Sequence, residues 1–428
     1  MSDKEIISPR SALFRDRNFR WLACGSIASF FGDQFTLIAL PWLVLKMTGD
    51  PLALGIVLVT MNVPRTLFIL IGGAVVDRYS AKHVLIWSQC INGLLLGMLA
   101  ILVYTGGLAM WMVYGLAFGI GLVTAFGMPS WTAIAPQALK GEHLPMANGM
   151  LMSAGQIAAF SGPLLAGLLI ALFGDGSAGG MEDTRGLAAA FLIDFASFAF
   201  SLWALSPIAV RAKPAFAASQ PHMLQTVLEG LRYFWNDRSL RTFSLYAVTI
   251  ALFVIGPMQA AMPVLADQLG HGANAFGILA STFGVGSVIG MVAFSFKPNF
   301  RIRNTGTTMM LIDCMVGGLL VCMGQAHTIW QAALILLGVG MLGGFLQVMA
   351  INWMQRRAAP AMIGRMMSVF AFMMIGAPLV SVTICGWLLR TVPAPLLYRG
   401  SGMLMIASVL IAYVASSMRT ITDLQPTT

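Results

Sequence analysis

The chain has 428 residues, 58% of them hydrophobic and only 10% charged, against about a quarter charged in an average soluble domain. That composition excludes a soluble packing arrangement. The formal net charge of +9 would suit nucleic acid only as a basic face on a soluble domain, and no such domain is available, so no nucleic-acid partner is expected.

Met1 to Arg20 is polar and carries Lys4, Arg10, Arg15, Arg17 and Arg20. It runs into a long apolar stretch with no small-residue cleavage site, so it reads as a retained first span. Stretches long enough to cross a hydrocarbon core follow at short intervals. They predict spans over 19–45, 52–76, 83–105, 108–131, 145–173, 187–209, 239–266, 275–296, 305–326, 329–353, 362–390 and 397–418.

With the N-terminus in the cytoplasm, 20 of the 25 basic residues fall on the cytoplasmic side. Lys46, Arg185, Arg390 and Arg399 fall outside, and Arg65 lies within a span. That asymmetry predicts an inner-membrane protein with both termini cytoplasmic. Cys24, Cys90, Cys314, Cys322 and Cys385 all lie in spans, which argues against a disulfide framework. His83, His143, His222, His271 and His327 are dispersed, so neither a metal nor a cofactor is expected.

The longest cytoplasmic connection, Arg211 to Arg238, holds Leu224, Val227, Leu228, Leu231 and Phe234 at helical spacing ahead of Trp235. It predicts an amphipathic helix on the membrane surface; a docking site for a partner protein is the rival reading. The chain then divides into an N-terminal six-helix bundle (1–210), this linker (211–238) and a C-terminal six-helix bundle (239–428). An internal repeat supports the division. Ala39-Leu40-Pro41 precedes Gly55, and Ala261-Met262-Pro263 precedes Gly277, with the same proline-to-glycine spacing. The fold class expected is an all-α membrane protein of twelve transmembrane helices in two pseudo-symmetric bundles, with solute bound between the halves.

Between spans two and three stands Gly73-Ala74-Val75-Val76-Asp77-Arg78-Tyr79-Ser80-Ala81-Lys82. It resembles the signature loop of the major facilitator superfamily, in which glycine, three residues, Asp-Arg, one residue, glycine and two basic residues follow one another. Gly73, Asp77, Arg78 and Lys82 match, whereas Ser80 replaces the second glycine and Ala81 the first basic residue. Further features resemble the branch holding macrolide-efflux proteins and the enterobactin exporter. They are Phe14-Arg15-Asp16-Arg17-Asn18-Phe19-Arg20, Gly32-Asp33 with Ala39-Leu40-Pro41-Trp42, Asp194 before Phe195-Ala196-Ser197-Phe198, and Ile363-Gly364-Arg365-Met366. The resemblance implies export coupled to a proton gradient, with an inward gate in which Asp77 meets the N-terminal end of span eleven, helped by Arg78 or Arg365. Ordinary positive-inside anchoring by Arg78 and Lys82 is the plainer alternative.

Asp33 and Arg65 stand out because an ionisable side chain deep in a span costs roughly 2.5–3.5 kcal/mol. At a rise of about 1.5 Å per residue both lie at nearly one depth, about 20 Å and about 18 Å from the cytoplasmic ends of their helices. Gly25, Ser29, Asp33 and Thr36 share a face of span one, and Gly55, Asn62, Arg65, Thr66 and Gly73 lie near one face of span two. Both faces are small or polar and suit a cavity. The repeat offset pairs Asp33 with Ile255 and Arg65 with Ser287, so the second half has no copy. The pair is expected to couple protons to transport, Asp33 carrying the proton and Arg65 exchanging partners; a static buried ion pair is the competing reading.

Asp194 and Asp313 lie nearer span ends, where bracing a neighbouring helix is expected, although either could carry protons instead. The cavity lining is expected to include Asn62, Gln156, Phe253, Gln259 and Gln347. Gly115 and Gly119 are expected to permit close helix approach. No Gly-rich phosphate loop, HExxH or clustered nucleophile with a base is present, so an enzyme is not expected. The function expected is a secondary transporter exporting an amphipathic small molecule, such as a drug or siderophore, as a monomer in contact with membrane lipids and protons. A lipid or lysophospholipid translocator, or a transporter of an anionic solute bound by Arg65, is the alternative.

Overall fold

The computed structural model describes residues 13–174, 184–210, 232, 235, 237–269, 272–297, 300–357 and 363–420. At 70, 74, 77, 363–365, 367–369, 371, 375 and 420 only the backbone is described. These residues form twelve long helices and no strand. The first six are α1 (Arg17–Thr48), α2 (Pro51–Arg78), α3 (Ala81–Tyr104), α4 (Met110–Ala138), α5 (Leu144–Phe173) and α6 (Arg185–Leu205). The second six are α7 (Arg238–Gln268), α8 (Gly272–Phe296), α9 (Thr305–Met323), α10 (Ile329–Arg357), α11 (Ile363–Leu388) and α12 (Ala394–Ala415). Each falls on one predicted span. Among the described residues eleven are long and apolar enough to cross a bilayer, and α11 contributes the shorter apolar run Phe372–Leu388.

Local chemistry sets the helix starts. Asp16 accepts from the amides of Asn18 and Phe19, Asp237 from those of Ser239 and Leu240, and Asn304 from that of Thr307. Each side chain satisfies amides that a helix N-terminus leaves without a partner. Interior prolines need the reverse service. Pro257 has no N–H for the Phe253 carbonyl one turn earlier, and the Ser401 hydroxyl on α12 donates to that carbonyl at 2.6 Å. Hydrocarbon offers no water for such groups, so a neighbouring helix must supply the donor.

The chain forms two compact units, residues 1–43 with 60–219, and residues 44–59 with 220–428. In the first, α3 packs on α4 and α6, and α5 on α6. A β-carbon on Gly121 of α4 would strike the Met61 carbonyl of α2, and one on Gly72 of α2 would strike the Ala125 carbonyl of α4. Gly115 faces open space and Gly119 meets only the Leu95 side chain. The expectation of close approach at Gly115 and Gly119 therefore moves to Gly121. In the second unit α9 packs on α10 and α12, α7 on α8, α11 and α12, and α8 on α10. Gly286 and Gly290 of α8, with Gly340 and Gly344 of α10, bring those two backbones together. With lipid as apolar as leucine, small residues and dispersion hold such pairs. The amphipathic stretch at Leu224, Val227, Leu228, Leu231 and Phe234 lies outside the described residues.

Candidate functional site

The charged residues predicted in spans one and two both belong to the first unit. Asp33 is exposed on α1 although it sits mid-helix, and Arg65 is half-buried on α2. No ion pair joins them among the described residues, but each lies within reach of the other's charge. Arg65 Nη2 donates to Met128 Sδ of α4 at 2.8 Å, and its Nε is buried with no hydrogen-bond partner. A thioether is a weak acceptor, so most of the guanidinium's hydrogen-bonding capacity is uncommitted.

The small face of α1 does not line a cavity along its length, as its residue types suggested. Gly25 lies on Ser201 and Ala204 of α6, and a β-carbon on Gly32 would sit 2.6 Å from Asp194 Oδ1. The Thr36 hydroxyl donates to Asp194 Oδ2. Small residues here admit α6, and Asp33 alone among the ionisable groups of that face stays exposed. Asp194 is 1% exposed. Its carboxylate also accepts from the Ser197 hydroxyl at 3.2 Å and feels the charge of Asp33. It braces α1, the role expected for it, yet stands in the same electrostatic cluster as Asp33 and Arg65. That link eluded sequence reasoning because it depends on which helix α1 packs against.

In the signature loop Ser80 has φ −66°, a value open to any residue, so the missing glycine costs nothing here. Ala81 is fully buried, where a basic side chain would have no water. Lys82 Nζ donates at 2.8 Å to the carbonyls of Ser206 and Ile208. It satisfies carbonyls just past the end of α6, and a cation there also meets the negative end of the helix dipole. Arg78 is exposed and Gly73 half-buried. The side chains of Asp77 and Arg365 lie outside the described residues.

Residues 8–427 match the model of the transmembrane secretion effector family of the major facilitator superfamily. The chain belongs to that family. It is 27% identical over 243 residues to the multidrug efflux pump Tap of Mycobacterium tuberculosis, covering 54% of each chain, and so spans about half the length of that relative. It is 24% identical over 370 residues to the uncharacterized MFS-type transporter YkuC of Bacillus subtilis, covering 82% of this chain and 81% of that one. The enterobactin exporter EntS of Escherichia coli is 22% identical over 400 residues, with 89% and 88% covered. Among solved structures, the nucleoside transporter NupG superposes with TM-score 0.69 at 14% identity, over 95% of this chain and 100% of that one. A bacterial homologue of the iron transporter ferroportin gives TM-score 0.67 at 18% identity, over 93% and 97%. The protein is a multi-pass membrane protein with the major facilitator fold.

The predicted cavity residues divide between the units. Asn62 and Gln156 are half-buried in the first; Phe253 is half-buried in the second, where Gln259 and Gln347 are exposed. The second unit also holds a buried acid. Asp313 of α9 is 5% exposed and accepts from the Tyr246 hydroxyl of α7 at 2.5 Å, which is the bracing expected of it. At the ends of the second unit's helices, Lys46 Nζ meets Asp267 Oδ1 at 2.9 Å, and Arg390 grips both carboxylate oxygens of Asp50, with Nε to Oδ1 at 2.9 Å. Asp50, Asp267 and Arg390 line a polar pocket of about 470 Å³ with Gly49, Val264 and Gln268. The Arg390 guanidinium beside Asp50, with the Leu52 amide, holds that carboxyl below its ordinary value against a smaller opposing effect of burial.

Proposed function

We propose that this transporter exports an amphipathic small molecule in exchange for protons, by alternating access, with Asp33 and Arg65 as the coupling pair. The observation that carries the reading is the state of those two groups. Asp33 is an exposed carboxylate in the middle of a membrane helix, and Arg65 is a guanidinium whose committed partner is a thioether. A structural ion pair would be locked in direct contact, since a buried charge without a partner is costly. Two charges that sense each other without touching leave each free to take another partner, a proton for Asp33 and a solute for Arg65.

The basic loops support placement in an inner membrane with both termini cytoplasmic, and the bundles 1–210 and 239–428, joined by 211–238, serve as the moving bodies. Relatives named for multidrug efflux and enterobactin export support a small-molecule cargo. The unpartnered Nε of Arg65 favours a second reading in which the cargo carries an anionic group. Proteoliposomes with an imposed pH gradient test the coupling. Asp33→Asn is expected to abolish gradient-driven transport of a cationic drug while leaving drug binding measurable, and undiminished coupling in that variant would remove Asp33 from the mechanism. Arg65→Ala, screened against cationic drugs, anionic siderophores and lysophospholipids, separates the cargo classes, because loss confined to anions assigns Arg65 to recognition.

A further inference from the structure

We propose that Asp194 is the second carboxyl of the coupling site, a positioning residue that shares one proton with Asp33 across the contact between α1 and α6. The inference rests on the reading of Asp33 as the coupling acid. Gly32 and Thr36 are one turn apart on α1, and the two oxygens of Asp194 reach that face, Oδ1 beside Gly32 and Oδ2 at the Thr36 hydroxyl. Asp33 follows Gly32 directly and lies within reach of the Asp194 charge.

The charges then count as follows. Asp33 on α1, Asp194 on α6 and Arg65 on α2 are the charged groups of the cluster among the described residues. Both carboxyls ionised would leave a net negative charge in the membrane interior, and two neighbouring carboxylates oppose each other's ionisation. One proton on the pair makes the trio neutral. A second proton, taken at the exposed Asp33, makes it positive and frees Arg65 for a new partner. Only protons move, and no bond to carbon changes.

An independent observation places further unserved polar groups along the same helix contacts as the buried member. Ser197 and Ser201 continue the line of Asp194 along α6, and the Ser201 hydroxyl, 0% exposed, has no hydrogen-bond partner. On α3, where Gly93 packs against Phe198 of α6, Gln89 Oε1 and Asn92 Oδ1 are buried and equally unpartnered. Buried polar atoms of this kind are satisfied by ordered water when protein does not serve them, which marks this stretch beneath Asp194 as polar rather than dry.

The test is the pH profile of gradient-driven drug transport in proteoliposomes. Asp194→Asn keeps one acceptor oxygen, which can serve Thr36 while Ser197 keeps the main-chain carbonyl of residue 194, and removes the second charge, so the half-maximal pH is expected to move toward acid by about one unit. Thr36→Val keeps both carboxyls and removes a donor that favours the ionised form, so a smaller shift toward alkali is expected; it carries the test should Asp194→Asn fail to fold. Profiles that coincide with the parent's in the folded variants would reduce Asp194 to a brace. Asp33→Asn is run beside them. Coupling that survives in it overturns the proposed function and this inference together, whereas coupling lost there with no shift in the others overturns this inference alone.

Discussion

The pair α2 and α4 in the first unit and the pair α8 and α10 in the second occupy matching places in the repeat, yet they pack differently. At the offset that aligns Pro41 with Pro263, the glycines 286, 290, 340 and 344 correspond to Pro64, Phe68, Phe118 and Leu122. In the second unit those glycines bring the backbones together, and a β-carbon on Gly344 would strike the carbonyl of Ser287. Ser287 is the counterpart of Arg65. A guanidinium in the second unit would therefore stand where two helices touch, whereas in the first unit the glycine contacts fall to either side of Arg65, at Gly121 on Met61 and Gly72 on Ala125, and Arg65 reaches Met128. Close packing and buried charge exclude each other at one position, and the two units have taken one option each.

The largest expected effect comes from exchanging these options. Gly344→Leu installs in the second unit the residue that the first unit carries at Leu122, and it drives a side chain into the backbone of α8. Overpacking against a flexible side chain costs about 1–3 kcal/mol; backbone cannot step aside, so a loss of at least about 3 kcal/mol is expected. Thermal unfolding in detergent should show it as a large fall in Tm or as failure to accumulate folded protein. A variant as stable as its parent would show that the glycine contact does not set the packing.

The two buried acids extend the contrast. Asp194 lies within reach of the charge of Asp33, whereas Asp313 has a hydroxyl, Tyr246, as its hydrogen-bond partner among the described residues. Tyr246→Phe leaves a buried carboxyl without that donor, at an expected cost of about 1–3 kcal/mol. The pH profile of transport should not move, because no charge has changed near Asp33 and Arg65, the proposed coupling pair. A displaced profile would make Asp313 part of the proton chemistry and the units functionally alike.

The fold was legible because its signals are local. Spans follow from apolar run length, and the spacing of Pro41 to Gly55 against Pro263 to Gly277 points to the duplication. Asp33 and Arg65 were legible for the same reason, since a charge deep in a span announces itself. What was hidden depends on which helix faces which. The face Gly25, Gly32 and Thr36 looks the same in sequence whether it lines a chamber or admits α6, and only the position of Asp194 decides. Tyr246 and Asp313 lie 67 residues apart, and no periodicity joins them. Met128 went unnoticed because a methionine in a membrane span is ordinarily packing.

The smallest effect concerns the ends of the second unit's helices, where residues 44–59 are held by Lys46 to Asp267 and by Asp50 to Arg390. These pairs are largely exposed, so each contributes little and is screened by salt. Asp50→Asn should raise amide exchange over 44–59 by about threefold, with no measurable change in Tm. The pH dependence has a definite sign. The Asp50 carboxyl is held below its ordinary value and the Arg390 guanidinium above its own, so the pair is fully present above the usual carboxylate range and is lost only as pH falls through the lowered value. Mild acidification to about pH 5 should therefore leave the segment's protection in the parent intact, relative to intrinsic exchange. Protection lost between about pH 7 and about pH 5 would transfer the proposed proton-sensing role from Asp33 and Arg65 to these outlying pairs.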